Sequence, residues 1–214
     1  MNTSIKTLVN RLSNIGLDII WPFQIKQYNQ LESVTPLPTF KTDQELGLLL
    51  GFSKKFWDQN IQLIDPGKEN PFDDLVTEKV KSILKSSKLN PRVIHYFDKC
   101  PDYISFQKLA DITGLAHLGP SHLLVHEKYG MWFSLRMILL FEDLYTPQES
   151  PHFDPCLSCE RPCLIEFNNA LEEGSWKSWV NVRKSCPVGK RWMYSDNQIN
   201  YHYTKDKKYL SSNN

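Results

Sequence analysis

The chain of 214 residues lacks the features that mark several large classes of protein. No apolar run approaches the length of a membrane span, and a formal net charge of +1 gives no electrostatic reason to bind nucleic acid or an anionic membrane. The first 20 residues contain no continuous apolar segment followed by small residues. We therefore expect no secretory signal, a cytoplasmic location, and neither nucleic acid nor membrane as a partner.

Several chemical motifs are also missing. No dinucleotide-binding glycine motif, P-loop or nucleophile elbow occurs, and the six histidines show no metalloprotease spacing. The odd count of five cysteines argues against a disulfide framework. One histidine, His126, lies beside Lys128 and Tyr129 and is the candidate for catalysis, although a histidine in a turn or core is the commoner case.

The residues that are present indicate a globular protein of mixed helix and strand. Hydrophobic residues make up 41% of the chain and charged residues 23%, which is ordinary for one large domain. Apolar runs at residues 46–52, 92–97 and 137–141 predict strands, and periodic segments at 1–16, 71–84 and 106–115 predict helices. After Tyr145 the sequence becomes rich in Pro, Cys, Trp and Tyr. We expect a core over residues 1–150 and a C-terminal cap over residues 151–214.

The most informative segment is residues 122–141, HLLVHEKYGMWFSLRMILLF. Two apolar runs, predicted to be strands, flank a centre that contains Gly130 and Trp132. Arg136 would enter a largely apolar element, where a guanidinium is costly unless it meets a carboxylate, a phosphate or carbonyl groups. Two interpretations stay open: Arg136 reaches the surface or pairs with a structural acid, or it waits for an anionic ligand.

Five motifs occur in one order along the chain: GLDIIWPFQIKQYNQL, VTPLPTF, HEKYGMWFSLRMILL, SWKSWVNVRKS and YSDNQINYHYT. Together they resemble the CblC family of cobalamin-processing proteins, which are cyanocobalamin reductases and alkylcobalamin dealkylases. The resemblance implies an α+β, flavin-reductase (nitroreductase)-like sandwich that escorts cobalamin and removes its upper axial ligand. It also implies FMN or FAD for decyanation, glutathione as co-substrate for dealkylation, and a downstream cobalamin-trafficking protein as a partner.

The resemblance carries over to particular positions. Arg136 and Arg183 match the arginines that serve glutathione in this family, and planar guanidinium groups suit the two carboxylates of that tripeptide. A third basic position has no arginine counterpart, and the nearest cations are Lys207 and Lys208. The positions that would line the cobalamin site fall in the segment after Ser105 and in the central motif: Lys108, Leu109, Ala110, Asp111, Leu124 and Leu135.

A second resemblance rests on residues 114–124 and on the tail cysteines. Cys156, Cys159 and Cys163 are closely spaced and Cys186 is followed by proline, which is similar to the iron–sulfur epoxyqueuosine reductases. Ferredoxin-type clusters use three neighbouring thiolates and a remote one, whereas four thiolates also suit a tetrahedral zinc ion. Three alternatives stay open: one 4Fe-4S cluster, a zinc ion, or reduced thiols without metal. With a cluster, the protein would be a single-cluster iron–sulfur reductase or electron-transfer protein.

Overall fold

The computed structural model describes residues 1–98, 103–148 and 153–210. A four-stranded antiparallel sheet forms its centre, in the order β1 (Ile19–Gln24), β2 (Glu45–Phe52), β6 (Ser134–Leu144) and β3 (Arg92–His95). A separate hairpin consists of β4 (His117–Leu118) and β5 (Leu124–Val125). The α+β class predicted from the sequence is confirmed.

The two central strands of the sheet are buried on both faces. Successive residues of β2 alternate between two hydrophobic clusters, with Leu48 and Leu50 in one and Leu49 in the other. In β6, Leu139 joins the first cluster, whereas Leu140 joins the second. Continuous hydrophobic runs are typical of strands that are covered on both sides, and this is why these two strands were recognisable in the sequence.

Helices cover both faces of the sheet. One face packs against α1 (Thr3–Asn14), α3 (Lys54–Asn60) and α4 (Pro71–Ser87), and the other against α2 (Ile25–Asn29) and α5 (Phe106–Ile112). Side chains that accept a hydrogen bond from the first turn mark where several of them begin: Asn2 caps α1, Ser53 caps α3 and Ser105 caps α5. None of the helices within the described ranges is long and apolar enough to cross a membrane.

The C-terminal part is helical, which the sequence analysis did not predict. It contains α6 (Pro162–Glu173), α7 (Trp176–Ser185) and α8 (Asp196–Thr204). Tyr201 of α8 belongs to the same hydrophobic cluster as α1 and α4, and Val182 of α7 packs with Val125 of β5. The predicted boundary between residues 150 and 151 lies outside the described residues. The tail therefore contributes side chains to the clusters that cover the sheet.

Two glycines allow the central motif and the tail to cross in backbone contact. A Cβ atom added to Gly130 would lie 2.0 Å from the carbonyl oxygen of Val188, and one added to Gly189 would lie 2.3 Å from the amide nitrogen of Gly130. Both glycines also have positive φ angles, +56° and +71°. Any side chain at either position would push the two backbones apart, so both positions require glycine.

We predict that Gly189→Ala lowers the free energy of unfolding by at least about 3 kcal/mol, because a steric clash adds to the backbone strain. Gly174→Ala is the matched control, since Gly174 also has a positive φ of +62° but no atom within 4 Å of an added Cβ. That control should lose only ~1–2 kcal/mol of unfolding free energy, which is the cost of placing alanine in a left-handed conformation. Urea unfolding measures both variants, and equal losses would contradict the role of the crossing.

Candidate functional site

An apolar cavity of about 240 Å³ lies beside β6 and the β4–β5 hairpin. Among the described residues that line it, Arg183 is the one that is charged. The apolar walls and few polar groups are typical of a ligand site. The lining consists of Tyr96, Tyr103, Ile104, Phe106, Gln107, Leu123, Leu124, Met131, Phe133, Leu135 and Arg183.

A second cavity, of about 430 Å³, adjoins the apolar cavity and shares Ile104 with it. Its walls come from β3 and from the proline-containing loop before β2. That loop is held by the buried carboxylate of Glu45, which accepts hydrogen bonds from the backbone of Phe40, Lys41 and Thr42. The two cavities together form an extended, mostly apolar surface on one side of the sheet.

Two of the six residues predicted to line a cobalamin site, Leu124 and Leu135, line the apolar cavity. The other four lie on α5 and point elsewhere. Leu109 and Ala110 are fully buried in the core. The Asp111 carboxylate accepts a hydrogen bond of 2.8 Å from the backbone of β4, and Lys108 is exposed.

The first turn of α5 reaches the apolar cavity instead. Phe106 and Gln107 line it, and the Gln107 side chain donates a 3.0 Å hydrogen bond to the carbonyl of His122. Ser105 fixes this turn by capping the helix. The predicted residues 108–111 are therefore next to the cavity. The residues of α5 that face it are Phe106 and Gln107, which come just before them in the chain.

Arg183, in the last turn of α7, reaches the cavity from the opposite side. Its Nη1 donates a 2.8 Å hydrogen bond to the carbonyl oxygen of Met131, which also lines the cavity. Its Nε is buried and has no hydrogen-bond partner among the described residues. A guanidinium with donors left over at the wall of an apolar cavity is suited to an anionic ligand.

A β-bulge orients Arg136. Leu50 of β2 pairs with Met137 and Gly51 pairs with Leu135, so Arg136 is the extra residue of β6 between two consecutive pairs. Its guanidinium lies 4.9 Å from the ring of Phe52 and 5.0 Å from the ring of Tyr96. Leu135 lines the apolar cavity, whereas Arg136 lines a different, polar cavity. Leu135 and Arg136, as successive residues of one strand, therefore face different cavities.

Arg136 forms a partly buried ion pair with Asp73. Its Nη1 lies 2.8 Å from Oδ1 of Asp73, and the hydroxyl of Tyr96 donates a 2.8 Å hydrogen bond to the other carboxylate oxygen. The interpretation of Arg136 as the partner of a structural acid is thus correct. Its Nε, however, has no hydrogen-bond partner within the described part of the chain, so the guanidinium keeps an unused donor.

The polar cavity has a volume of about 240 Å³ and contains a second cation, Lys205. Lys205 ends α8 in a left-handed conformation with φ of +57°, a position that favours glycine. Partial burial and, next, the charge of Arg136 lower the pKa of Lys205. The cavity is lined by Glu69, Asn70, Phe72, Asp73, Arg136, Tyr201, His202 and Lys205.

Lys205, rather than Lys207 or Lys208, is the lysine that lines the polar cavity with Arg136. Lys207 donates a 2.6 Å hydrogen bond to the carbonyl of Lys68, and Lys208 pairs with Asp206 at 2.7 Å. Both therefore have other partners outside the cavity. No pattern in the sequence marked Lys205, because the helix that it ends was not predicted.

Arg136 and Arg183 line different cavities, but both act on the pair formed by the buried Tyr194 and the half-buried His202. The two rings lie 5.4 Å apart. Burial lowers the pKa of His202 well below its usual range, and the charges of Arg136 and Arg183 lower it further. Burial raises the pKa of Tyr194, and Arg183 partly offsets this. His202 is therefore neutral at neutral pH, and an anion near it would meet positive charge on both sides.

His126 stabilises a turn. Its Nδ1 accepts a 2.9 Å hydrogen bond from the backbone of Lys128, and its ring packs 4.7 Å from that of Tyr129. Burial, and then the charge of Lys128, lower the pKa of His126 to about 4. A histidine that is neutral at pH 7 and holds a turn fits the structural interpretation better than the catalytic one.

The four tail cysteines share one neighbourhood beside the β4–β5 hairpin. Cys163 and Cys186 are buried in the cluster that contains Val125. Burial raises the pKa of Cys156 to about 11, with further contributions from Asp154 and the other three thiols. Within the described residues, the one group of three ligand atoms that lie within 4.8 Å of one another consists of His117, Asp154 and Cys156. The set of four thiolate ligands stays a prediction.

We predict a pH-dependent contribution of His126 to stability. Its pKa is about 4 in the folded chain and about 6.5 when unfolded, so the unfolded chain binds the extra proton between these values. Up to about 3 kcal/mol is therefore lost as the pH falls from about 6.5 to 4. In His126→Gln this loss is absent, so the stability advantage of the wild type should shrink between pH 7 and pH 4.5. Chemical denaturation at several pH values measures the difference in unfolding free energy between the wild type and His126→Gln. A difference that does not change with pH would contradict this assignment.

Comparison with known proteins identifies relatives of this fold. No family model matches the chain, and no curated protein matches its sequence. A crystal structure of the B12-trafficking protein CblC from C. elegans, a homologue of human MMACHC, matches with a TM-score of 0.68 and 20% identity over 97% of this chain and 94% of that one.

A structure of an epoxyqueuosine reductase matches with a TM-score of 0.54 and 13% identity, over 89% of this chain and 67% of that one. Both relatives were predicted from the motifs, the CblC proteins as the nearer resemblance. The resemblance is confirmed at the level of the fold, and it is closer to the CblC protein than to the epoxyqueuosine reductase.

Proposed function

We propose that this protein is a cobalamin-processing enzyme and chaperone that removes the upper axial ligand of its cargo. Cyanide would leave by flavin-dependent reductive decyanation, and alkyl groups by glutathione-dependent dealkylation. The observation that carries the proposal is an apolar cavity with Arg183 in its wall, next to a polar cavity that contains Arg136 and Lys205. The similarity to a protein described as B12-trafficking supports it.

The architecture proposed with this function is a nitroreductase-like sandwich. Residues 1–150 would form the cobalamin-binding core and residues 151–214 a cap that supplies Arg183. The protein would act in the cytoplasm and pass its product to a downstream cobalamin-trafficking protein. The packing of α7 and α8 against the core supports a cap that contributes to the site.

Cobalamin, as substrate, would lie on the surface formed by the two adjoining cavities. A volume of about 240 Å³ is below the roughly 300–1,000 Å³ of sites that enclose a drug-sized ligand. The apolar cavity would therefore receive only part of the corrin, with Leu124 and Leu135 in contact. We propose that Lys108, Leu109, Ala110 and Asp111 act by fixing α5, so that its first turn meets the ligand.

Glutathione would bind through its two carboxylates to the cations of this region, Arg136, Arg183 and Lys205. Guanidinium groups recognise carboxylates by paired, charge-assisted hydrogen bonds. The same positive charge would favour the thiolate form of the cysteine. In dealkylation the thiolate attacks the alkyl carbon, a carbon–sulfur bond forms, and the carbon–cobalt bond breaks with its electron pair left on cobalt.

Decyanation requires electrons, and FMN or FAD would supply them when bound. The charged residues of the second cavity are Arg92 and Asp98. The Arg92 guanidinium lies 5.3 Å from the ring of Phe40, and the carboxylate of Asp98 opposes a phosphate. These residues fit a flavin phosphate poorly, so we assign no residue to the flavin and propose that it visits as a dissociable reductant.

We predict that Arg136→Gln lowers kcat/KM for glutathione in methylcobalamin dealkylation by about 10–100-fold, the equivalent of one charge-assisted hydrogen bond. The affinity for cobalamin should not change, because Arg136 lies outside the apolar cavity. Glutamine keeps a polar group beside Asp73, which limits the loss of stability. Stopped-flow dealkylation with a parallel binding titration separates the two quantities, and unchanged turnover would remove Arg136 from the mechanism.

Asp73→Asn provides the opposite test. The Asp73 carboxylate binds one side of the Arg136 guanidinium at 2.8 Å. The neutral amide of asparagine should bind that side less strongly, so the KM for glutathione should fall by several-fold. Asp74→Asn is the matched control, with the same change of charge in the same helical turn. An increase in KM for Asp73→Asn, or an equal change in both variants, would contradict a direct competition between Asp73 and glutathione.

A second candidate function is a single-cluster iron–sulfur reductase or electron-transfer protein of the epoxyqueuosine reductase type, with cobalamin as cofactor. The common neighbourhood of Cys156, Cys159, Cys163 and Cys186 favours it. This function requires about four irons and four sulfides per chain after purification without oxygen. Iron-free protein that still dealkylates cobalamin would reject it.

A further inference from the structure

Three potential metal ligands of different chemistry converge beside the β4–β5 hairpin. The imidazole Nε2 of His117 lies 3.3 Å from Oδ1 of Asp154, and the Sγ of Cys156 lies within 4.8 Å of both atoms. The carboxylate is oriented by a 2.9 Å hydrogen bond from the backbone amide of Cys156. All three side chains are half-buried.

The chain segment that contains two of these ligands is irregular and only partly buried. The described residues between β6 and α6 contain no helix or strand. The large apolar side chain of Leu157 is 81% exposed. The side chain of Cys156, by contrast, points at the hairpin, since its Sγ lies 3.6 Å from the position of a Cβ on Gly119. Two of the half-buried side chains in residues 153–156 can therefore ligate a metal.

The spacing between His117 and Asp154 matches that of two ligands in a tetrahedral metal site. Zn²⁺ bonds of about 2.0–2.2 Å to nitrogen and oxygen at a tetrahedral angle place these two atoms about 3.4 Å apart. The 3.3 Å between His117 and Asp154 is close to this value and longer than the usual N–H···O distance of about 2.9 Å. Nitrogen, oxygen and sulfur together suit Zn²⁺, whereas Ca²⁺ and Mg²⁺ take oxygen ligands and iron–sulfur clusters take thiolates.

We propose that His117, Asp154 and Cys156 bind a structural Zn²⁺ ion, with the fourth position taken by a neighbouring thiolate or by water. The ion would join the irregular segment before α6 to the β4–β5 hairpin. Because Leu124 of that hairpin lines the apolar cavity, the ion would also hold one wall of the cavity in place. This ligand set differs from the four thiolates predicted from the sequence, since it includes an imidazole and a carboxylate.

The test uses the full chain, purified without chelators, and the metals themselves as probes. We expect about one zinc per chain by elemental analysis. The zinc-free protein should bind Co²⁺ with the absorption of a tetrahedral, thiolate-ligated ion. Changing an outer-shell partner of a metal site costs about 10–100-fold in affinity, so His117→Ala and Cys156→Ala should each lose at least as much.

His95→Ala is the matched control, because His95 forms another histidine–aspartate pair, with Nδ1 3.5 Å from Asp98, outside this cluster. It should bind Co²⁺ like the wild type. Circular dichroism of each variant separates loss of the ligand from loss of the fold. The proposal is overturned if the wild type binds neither Zn²⁺ nor Co²⁺, or if His117→Ala keeps the metal.

Iron and sulfide retained in His117→Ala but lost in Cys159→Ala would also overturn it, in favour of the thiolate cluster. No step of this test involves cobalamin turnover. Failure of the zinc site therefore leaves the proposed dealkylation untouched, and failure of dealkylation leaves the zinc site untouched.

Discussion

The backbone contact between Gly130 and Gly189 is the constraint on which the rest of the site depends. Gly130 comes just before β6, which carries Arg136, and Gly189 follows α7, which carries Arg183. Because neither glycine leaves room for a side chain at the crossing, the two chain segments are held at one fixed separation. The relative position of the two guanidinium groups follows from this contact. Hydrophobic packing of Trp132 with residues of the tail reinforces it.

The charges near this crossing are the part of the structure from which we propose an anionic ligand. A buried ion pair such as Arg136–Asp73 contributes little net stability, because desolvation offsets the attraction. Yet the region concentrates further positive charge at Lys205 and Arg183 around a neutral His202. An anion with more than one carboxylate would relieve this concentration. Under the proposed function, the carboxylate of Asp73 would take the place of such a ligand when none is bound.

The sequence predicted those parts of the structure that depend on local patterns. The strands at 46–52 and 137–141 and the helix that begins near Asn70 were recognisable from apolar runs and capping residues. The bulge at Arg136 was not, because it depends on the register between two strands that are distant in sequence. Lys205 was not recognised as a residue of the polar cavity, since the end of α8 has no glycine to mark it, and the roles of Lys207 and Lys208 stay predictions. The approach of His117 to Cys156 depends on tertiary folding alone.

We propose that the apolar cavity binds cobalamin and that the adjacent cations bring a thiolate to its upper ligand. The most direct measurement is an anaerobic visible spectrum of the protein with methylcobalamin, recorded before and after the addition of glutathione. We expect the corrin bands to shift to the base-off form on binding, and the cob(I)alamin band to appear with glutathione. Corrin bands that stay at their positions for free methylcobalamin after both additions would contradict the account.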